Sequence, residues 1–258
     1  MAGHRDLDLE SKLQSAIDHG RSVWVIGDVH GYFRTLEALL VKLQLSSDDV
    51  VLFLGDLIDK GPDSKSVMEL VSTTTNFYSI RGNHEEMMRL SLDPKHRGRM
   101  KKSWLRYGGK ETLLSFDTNQ ESAVNQAKNW IEFIEEMPTE IVLNEFRIVH
   151  AGFNPDKGID DQSNRDRMWD RQIFQSGNIF DKSRQIIVGH TPFQNLPNSS
   201  DSNYWISESK LRDGRPELIC LDGGVFLPQE NSCLIALNLG SGVSFKQPRL
   251  EDETFTAQ

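Results

Sequence analysis

Three short clusters of hard oxygen donors and imidazoles recur along this chain: Gly27-Asp28-Val29-His30-Gly31, Gly55-Asp56-Leu57-Ile58-Asp59-Lys60-Gly61 and Gly82-Asn83-His84-Glu85. Their leading ligands stand at positions 28, 56 and 83, successive spacings of 28 and 27 residues. Two more histidine clusters follow, His150-Ala151-Gly152 and Gly189-His190-Thr191. Small residues flank each of these imidazoles and leave room for a ligand. Mixed carboxylate, amide-oxygen and imidazole donors without thiolate suit Mn²⁺, iron or Zn²⁺ rather than Ca²⁺. Converging at one edge of a sheet, they describe a metal site, with two metals sharing one Asp.

The elements that would bring them together can be read from what precedes each cluster. The runs Val23-Trp24-Val25-Ile26, Val50-Val51-Leu52-Phe53-Leu54 and Phe77-Tyr78-Ser79-Ile80 lead into the first three, and Phe146–Val149 and Gln185–Val188 into the last two. Between them, Phe33, Leu36, Leu39, Leu40 and Leu43 repeat at three and four, and Ser64 to Val71 follows the start signal Pro62-Asp63. A strand-helix-strand unit needs about 30 residues, so the spacing puts three clusters at the carboxyl ends of neighbouring parallel strands. Ligands of open α/β sheets bind at those ends. A short helix over 7–19 precedes the first strand. Residues 84–137 read as a helical insertion, broken at Gly108-Gly109 and closed by Pro138. Strand character returns at 140–149, with Asn144-Glu145 as a tight turn, and at 185–188, 217–221 and 233–239. Residues 193–216 are polar and read as a long surface loop. The expectation is an α/β fold, two mixed sheets packed face to face with helices outside. It forms one domain over 1–258 with its core at about 22–240.

Composition sets the limits. The 258 residues suit one large α/β domain, although length alone also permits two small ones. A net charge of −9 argues against nucleic acid as the main partner. No window approaches the roughly 20 apolar residues of a membrane span. Residues 1–20 lack the apolar stretch of a secretory signal. Cys220 and Cys233 are the two cysteines, too few for a disulfide framework, so reduced, buried thiols in a cytoplasmic protein are expected.

The ordered motifs GDVHG, GDLIDKG, GNHE, HAG and GHT resemble the calcineurin-like metallophosphoesterase superfamily, and within it the phosphoprotein phosphatase family, over about residues 23–225. The resemblance implies that Asp28, His30 and Asp56 ligate one metal, and that Asp56, Asn83, His150 and His190 ligate the second. The two ions are divalent, Mn²⁺ first, with iron or Zn²⁺ as alternatives. It makes His84 the general acid for the leaving group, with Asp59 orienting its imidazole. It gives phosphate binding to Arg171, in Trp169-Asp170-Arg171, and to position 60. There the family pattern has Arg and this chain has Lys60, a point charge without a bidentate fork. Arg81 is placed beside the site or in support of its strand. Trp104-Leu105-Arg106-Tyr107-Gly108-Gly109, Glu111-Thr112-Leu113 and Glu85-Glu86-Met87-Met88 resemble the bacterial and phage-type serine/threonine phosphatases.

The implied reaction is direct attack on a phosphomonoester by water held between two metals, with phosphoserine and phosphothreonine of proteins as the leading substrates. Two rivals stand beside it. One is hydrolysis of dinucleoside polyphosphates such as diadenosine tetraphosphate, for which Trp104 and Tyr107, or Tyr204 and Trp205, would serve as aromatic platforms. The other is a silent metalloprotein that binds phosphorylated partners. The stretch 95–110 carries seven Lys or Arg and no acid. It is either a solvated helix face or an attractor for anionic substrates.

Overall fold

In the computed structural model the described residues are 5–96, 98–175, 179–197 and 203–250. Arg97 of the basic stretch, residues 198–202 of the polar loop and both chain ends lie outside them. In chain order the elements are α1 (Leu7–Asp18), β1 (Val23–Ile26), α2 (Phe33–Leu43), β2 (Val50–Phe53), α3 (Ser64–Thr73) and β3 (Phe77–Ser79). The helical insertion follows as α4 (Asn83–Leu92), α5 (Lys101–Trp104), a π-helical turn (Leu105–Gly109), α6 (Lys110–Phe116), α7 (Gln120–Lys128) and α8 (Ile131–Glu136). The second half holds β4 (Glu140–Val142), β5 (Phe146–Val149), α9 (Asn164–Trp169), β6 (Gln185–Val188), β7 (Trp205–Ile206), β8 (Leu218–Cys220), β9 (Cys233–Asn238) and β10 (Ser244–Pro248).

One sheet has the order β10-β9-β1-β2-β3 and the other β4-β5-β6-β8-β7. β1, β2 and β3 pair in parallel and β9 joins β1 antiparallel. In the second sheet β5, β6 and β8 are parallel, with β4 and β7 antiparallel at its edges. Both sheets are therefore mixed, as the sequence led us to expect.

The continuous apolar runs have a physical reason. In β1, Val23 and Val25 enter the core between the sheets, while Trp24 and Ile26 enter a second core beneath the helices. β2 repeats this, Val50 and Leu52 going one way and Val51 and Phe53 the other. A strand covered on both faces has no use for a polar alternate. Leu36, Leu39 and Leu43 of α2 close the second core, as do Met87, Met88, Trp104, Leu113 and Phe116 of the insertion. Each such buried side chain contributes roughly 1.5–3 kcal/mol.

Two details depart from the sequence reading. The polar loop 193–216 contains β7, and Trp205 is buried there, its indole N–H donating to the Pro197 carbonyl at 2.8 Å. The core runs past residue 240, because β10 adds an edge strand against β9. No helix among the described residues is long and apolar enough to cross a membrane. Cys220 and Cys233 are free and buried. Burial pushes the Cys233 thiol up to about 11 and Cys220 well above its ordinary value.

Candidate metal centre and active site

The carboxyl ends of β1, β2 and β3 meet those of β5, β6 and β8 along one edge of the two sheets, and every sequence-predicted ligand follows one of them. The turns are knitted by backbone bonds. Val29 and His30 N–H both donate to the Asp56 carbonyl at 3.1 and 2.8 Å, and Gly189 N–H donates to the His150 carbonyl at 2.8 Å. The sheets are tied across by Asp28, whose two oxygens accept the His190 N–H at 3.1 and 3.0 Å. A Cβ on Gly189 would run into Asp28 Oδ1, and one on Gly82 into Asp56 Oδ1. These two glycines let ligand carboxylates lie against backbone.

Seven non-glycine residues among those described have a left-handed backbone, and five of them belong to this edge: His30, Asp56, Asp59, Lys60 and His190. Such conformations cost about 1–3 kcal/mol each and persist where the surroundings enforce them. Here they turn side chains off the strand ends into a common space.

That space holds two groups of ligand atoms, His30 with Asp56 and His84, and Asp56 with His150 and His190. Within each group the atoms lie inside 4.8 Å of one another. Asp56 is common to both. Asn83 joins the second group through Oδ1, 2.9 Å from His150 Nε2. His150 Nδ1 is 2.7 Å from the Leu54 carbonyl, and His30 Nδ1 is 3.0 Å from that of Ile58. Each contact places a proton on Nδ1 and turns Nε2 into the common space. His150 Nε2 thus faces the Asn83 oxygen and, at 3.2 Å, His190 Nδ1. An amide oxygen, the Asp56 carboxylate and two imidazole nitrogens converge there, with the buried His190 Nε2 left without a partner, and that donor set fits a metal. The charges agree. Burial and then Asp222 push the Asp28 carboxyl well above the ordinary range. Burial alone would lower the His150 imidazole, but the Asp56 carboxylate outweighs it and brings the ring to about 9. Both shifts mark a demand for positive charge.

His84, the second residue of α4, does not join the Asn83 side. Its Nδ1 lies 2.6 Å from Asp59 Oδ2, and Nε2 stands 3.8 Å from Asp56 Oδ2. Asp59 is fully buried and itself held. Its Oδ1 accepts from Trp104 Nε1–H at 3.0 Å and from Thr112 Oγ1–H at 2.5 Å, and its N–H is 3.0 Å from Ser64 Oγ. The sequence marked Trp104 and Thr112 by resemblance only, and under the dinucleotide reading it offered Trp104 as an aromatic platform. Trp104 is in fact enclosed beside Gly109, where its indole positions the aspartate.

Glu85 was also missed as a functional residue. Its carboxylate accepts the N–H groups of Asp56 and Gly82 through Oε2, at 2.8 and 2.9 Å, and of Leu57 through Oε1 at 2.8 Å. It thereby staples the second cluster to the third. The spacing Gly82-x-x-Glu85 at a helix start was the available signal, since Glu three residues into a helix reaches back to the cap.

The cations are arranged unevenly. Arg171 is exposed, and its Nε donates to Thr191 Oγ1 at 3.2 Å, beside His190. Arg81 turns away, to the Glu135 carbonyl at 2.7 Å and to Glu86, so it supports the helical insertion and not the ligands. Lys60 Nζ lies 2.8 Å from His30 Nε2 and 3.6 Å above the Phe226 ring. Burial lowers the Lys60 ammonium from its usual value. Asp222, left without a role in the sequence, is fully buried, and burial pushes it up to about 6. Its Oδ1 accepts the Gly224 N–H at 2.8 Å and its Oδ2 has no partner.

Comparison with known proteins decides the family. The signature of the calcineurin-like phosphoesterases matches residues 21–225. This chain belongs to that family. Its members depend on two metals, which is what the two ligand groups sharing Asp56 offer. Serine/threonine-protein phosphatase 2 of Escherichia coli K12 is 34% identical over 108 residues, 42% of this chain and 47% of that protein. A symmetrical bis(5'-nucleosyl)-tetraphosphatase of Coxiella burnetii is 32% identical over 78 residues, 30% of this chain and 27% of that one. The chain therefore aligns with less than half the length of these curated relatives. A serine/threonine phosphatase structure from Saccharomyces cerevisiae, with similarity to human PP5, superposes with a TM-score of 0.56. It covers 94% of this family member and 90% of itself at 15% identity, a likeness of fold.

Proposed function

We propose that this calcineurin-like phosphoesterase is a metal-dependent phosphatase that hydrolyses phosphomonoesters, phosphoserine and phosphothreonine of proteins foremost. One observation carries the reading: the buried 2.6 Å pairing of His84 Nδ1 with Asp59, with the other ring nitrogen turned toward the shared Asp56. A protein that only bound phosphorylated partners would have no use for an oriented acid at that point. Asp28, His30, Asp56, Asn83, His150 and His190 would hold two divalent cations, and Mn²⁺ suits their donors, with iron or Zn²⁺ next. Bound there, the cations supply Lewis-acid charge to the phosphoryl oxygens and lower the pKa of the attacking water.

The chain's own residues do the rest. The exposed Arg171 fork grips phosphoryl oxygens, as planar guanidinium groups do in pairs of parallel bonds. Lys60 adds a single positive charge from the floor of the site. Asp59 holds the proton on His84 Nδ1 and stabilises the imidazolium, so that Nε2 can protonate the leaving alkoxide oxygen. The relative named for serine/threonine phosphatase activity, and the likeness of residues 85–113 to bacterial and phage-type phosphatases, support phosphoproteins as substrates. Two buried thiols fit a reducing cytoplasm.

The test is a substrate panel on protein stripped with chelator and reloaded with Mn²⁺. It contains a phosphopeptide, a dinucleoside tetraphosphate, a mononucleotide and a phosphodiester. The phosphopeptide is expected to show the highest kcat/KM. A preference of about tenfold for the dinucleotide, or 1.36 kcal/mol of barrier, would overturn the phosphoprotein reading in favour of the tetraphosphatase one. No metal-dependent hydrolysis of any member would overturn both.

A further inference from the structure

A cavity of about 790 Å³ opens beside the metal centre, lined by Lys60, Lys102, Leu105, Arg106, Tyr107, Gly108, Lys110 and Glu111. Its inner end is Lys60, whose ammonium stands against the ligand His30. Its outer wall is the basic stretch that the sequence left undecided between a solvated helix face and an anion attractor. The wall is held to the site by backbone. Gly108, at φ +116°, brings its carbonyl to 3.4 Å from the Lys60 N–H, and a Cβ at that position would strike the same nitrogen. The π-helical turn therefore seats residues 102–110 at the mouth of the centre.

The charge there is uncompensated. Lys102, Arg106 and Lys110 are exposed, and among the described residues none of them has an ion-pair partner. This occurs in a chain with 38 acidic residues to 29 Lys and Arg. Apart from Glu111, the wall carries no acid of its own. We propose that this cavity is a subsite for the acidic side chains flanking the phosphorylated residue of a substrate peptide, so that the enzyme selects phosphoserine or phosphothreonine in acidic surroundings. The proposal rests on the phosphatase reading above. An open shelf beside the reaction centre suits an extended chain that passes along it, and the exposed Tyr107 ring gives that chain an apolar surface to lie on.

The experiment compares two phosphopeptides of the same length, one with Glu and Asp around the phosphoserine and one with Ala, together with p-nitrophenyl phosphate and a dinucleoside tetraphosphate. Each is assayed with the Mn²⁺-loaded wild type and with the triple variant Lys102→Ala/Arg106→Ala/Lys110→Ala, whose folding is checked by its melting temperature. The wild type is expected to favour the acidic peptide through KM, by about five- to tenfold for three exposed charge contacts. That preference should shrink in high salt and vanish in the triple variant. Hydrolysis of the Ala peptide and of p-nitrophenyl phosphate should not change. An equal acidic-to-Ala ratio in wild type and variant overturns the proposal. So does a loss confined to the dinucleotide, which would assign the cavity to phosphoanhydride chains. If the wild type cleaves p-nitrophenyl phosphate and neither peptide, the phosphoprotein reading itself has failed.

Discussion

Asp56 is the residue on which both ligand groups depend, and its neighbours reveal what it does. Burial pushes its carboxyl up, but the surrounding imidazoles, His150 first, pull it well below the ordinary range, so it stands as a carboxylate between them. Asp56→Asn keeps the shape and removes the charge. It is expected to empty both metal positions, whereas His30→Ala should weaken one; elemental analysis of the purified variants checks this, and two metals per chain in Asp56→Asn would refute the shared role. His84 is the harder assignment, because its ring also lies in the group of His30 and Asp56. If it is the acid, His84→Asn keeps both metals and loses roughly 10²–10⁴-fold in kcat on alkyl phosphates. The loss should shrink on p-nitrophenyl phosphate, whose leaving group hardly needs a proton. A missing metal in that variant would make His84 a ligand instead. The convergence of His30, Asp56, Asn83, His150 and His190, and the His84–Asp59 contact, were legible because residue type and order name them, whereas Asp28 stands outside both ligand groups with its oxygens on the His190 N–H. The strained backbone at His30, Asp56 and His190 was not, since no composition announces a left-handed aspartate.

At the scale of elements, the π-helical turn between α5 and α6 does two separate jobs. On one side it seats the basic wall of the cavity. On the other it brings Trp104 and Thr112 together on Asp59 from positions 45 and 53 residues away in sequence. That convergence was invisible in the sequence, where the Gly108-Gly109 break read as an interruption of helix and Trp104 as a candidate aromatic platform for a dinucleotide. A hydrogen bond across such a separation exists only once the insertion has packed. Trp104→Phe removes the N–H and retains most of the ring, leaving one oxygen of Asp59 with Thr112 alone. The expected outcome is a kcat loss of about tenfold on alkyl phosphates, from one weakened bond to a charged group at about 1.5 kcal/mol. KM should be unchanged, because the phosphate-gripping residues are untouched. A parallel loss on p-nitrophenyl phosphate, with a lowered melting temperature, would mean that Trp104 serves packing only.

For the molecule as a whole, the site is the place where two stable sheets are forced to share unfavourable charge. β1 to β3 could be placed from their spacing and apolar runs, since strands covered on both faces need uniform apolar sequence. β10 could not, because an edge strand reading Ser-Phe-Lys-Gln-Pro has no such signature. The same apolar enclosure that made the central strands readable buries Asp28, Asp56 and Asp222 in one region, with Asp222 Oδ2 unpaired. Without cations the buried Asp28 and Asp222 carboxyls, both pushed up by burial, oppose folding. Any ion that binds the folded chain alone must therefore stabilise it, by about 2.7 kcal/mol when free metal is one hundred times its Kd. For a chain of this size each kcal/mol moves the midpoint by roughly 2–4 °C, so saturating Mn²⁺ should raise Tm by about 5–10 °C over chelated protein. Asp56→Asn offers the control, because it removes the ligand that both groups share. Its chelated form should melt below the chelated wild type, because the surrounding imidazoles hold Asp56 as a carboxylate and lose their partner in the amide, and Mn²⁺ should move it little. Equal melting of the wild type with and without metal would mean that the buried carboxylates are neutralised from within the protein, and the two-metal reading of this edge would fall.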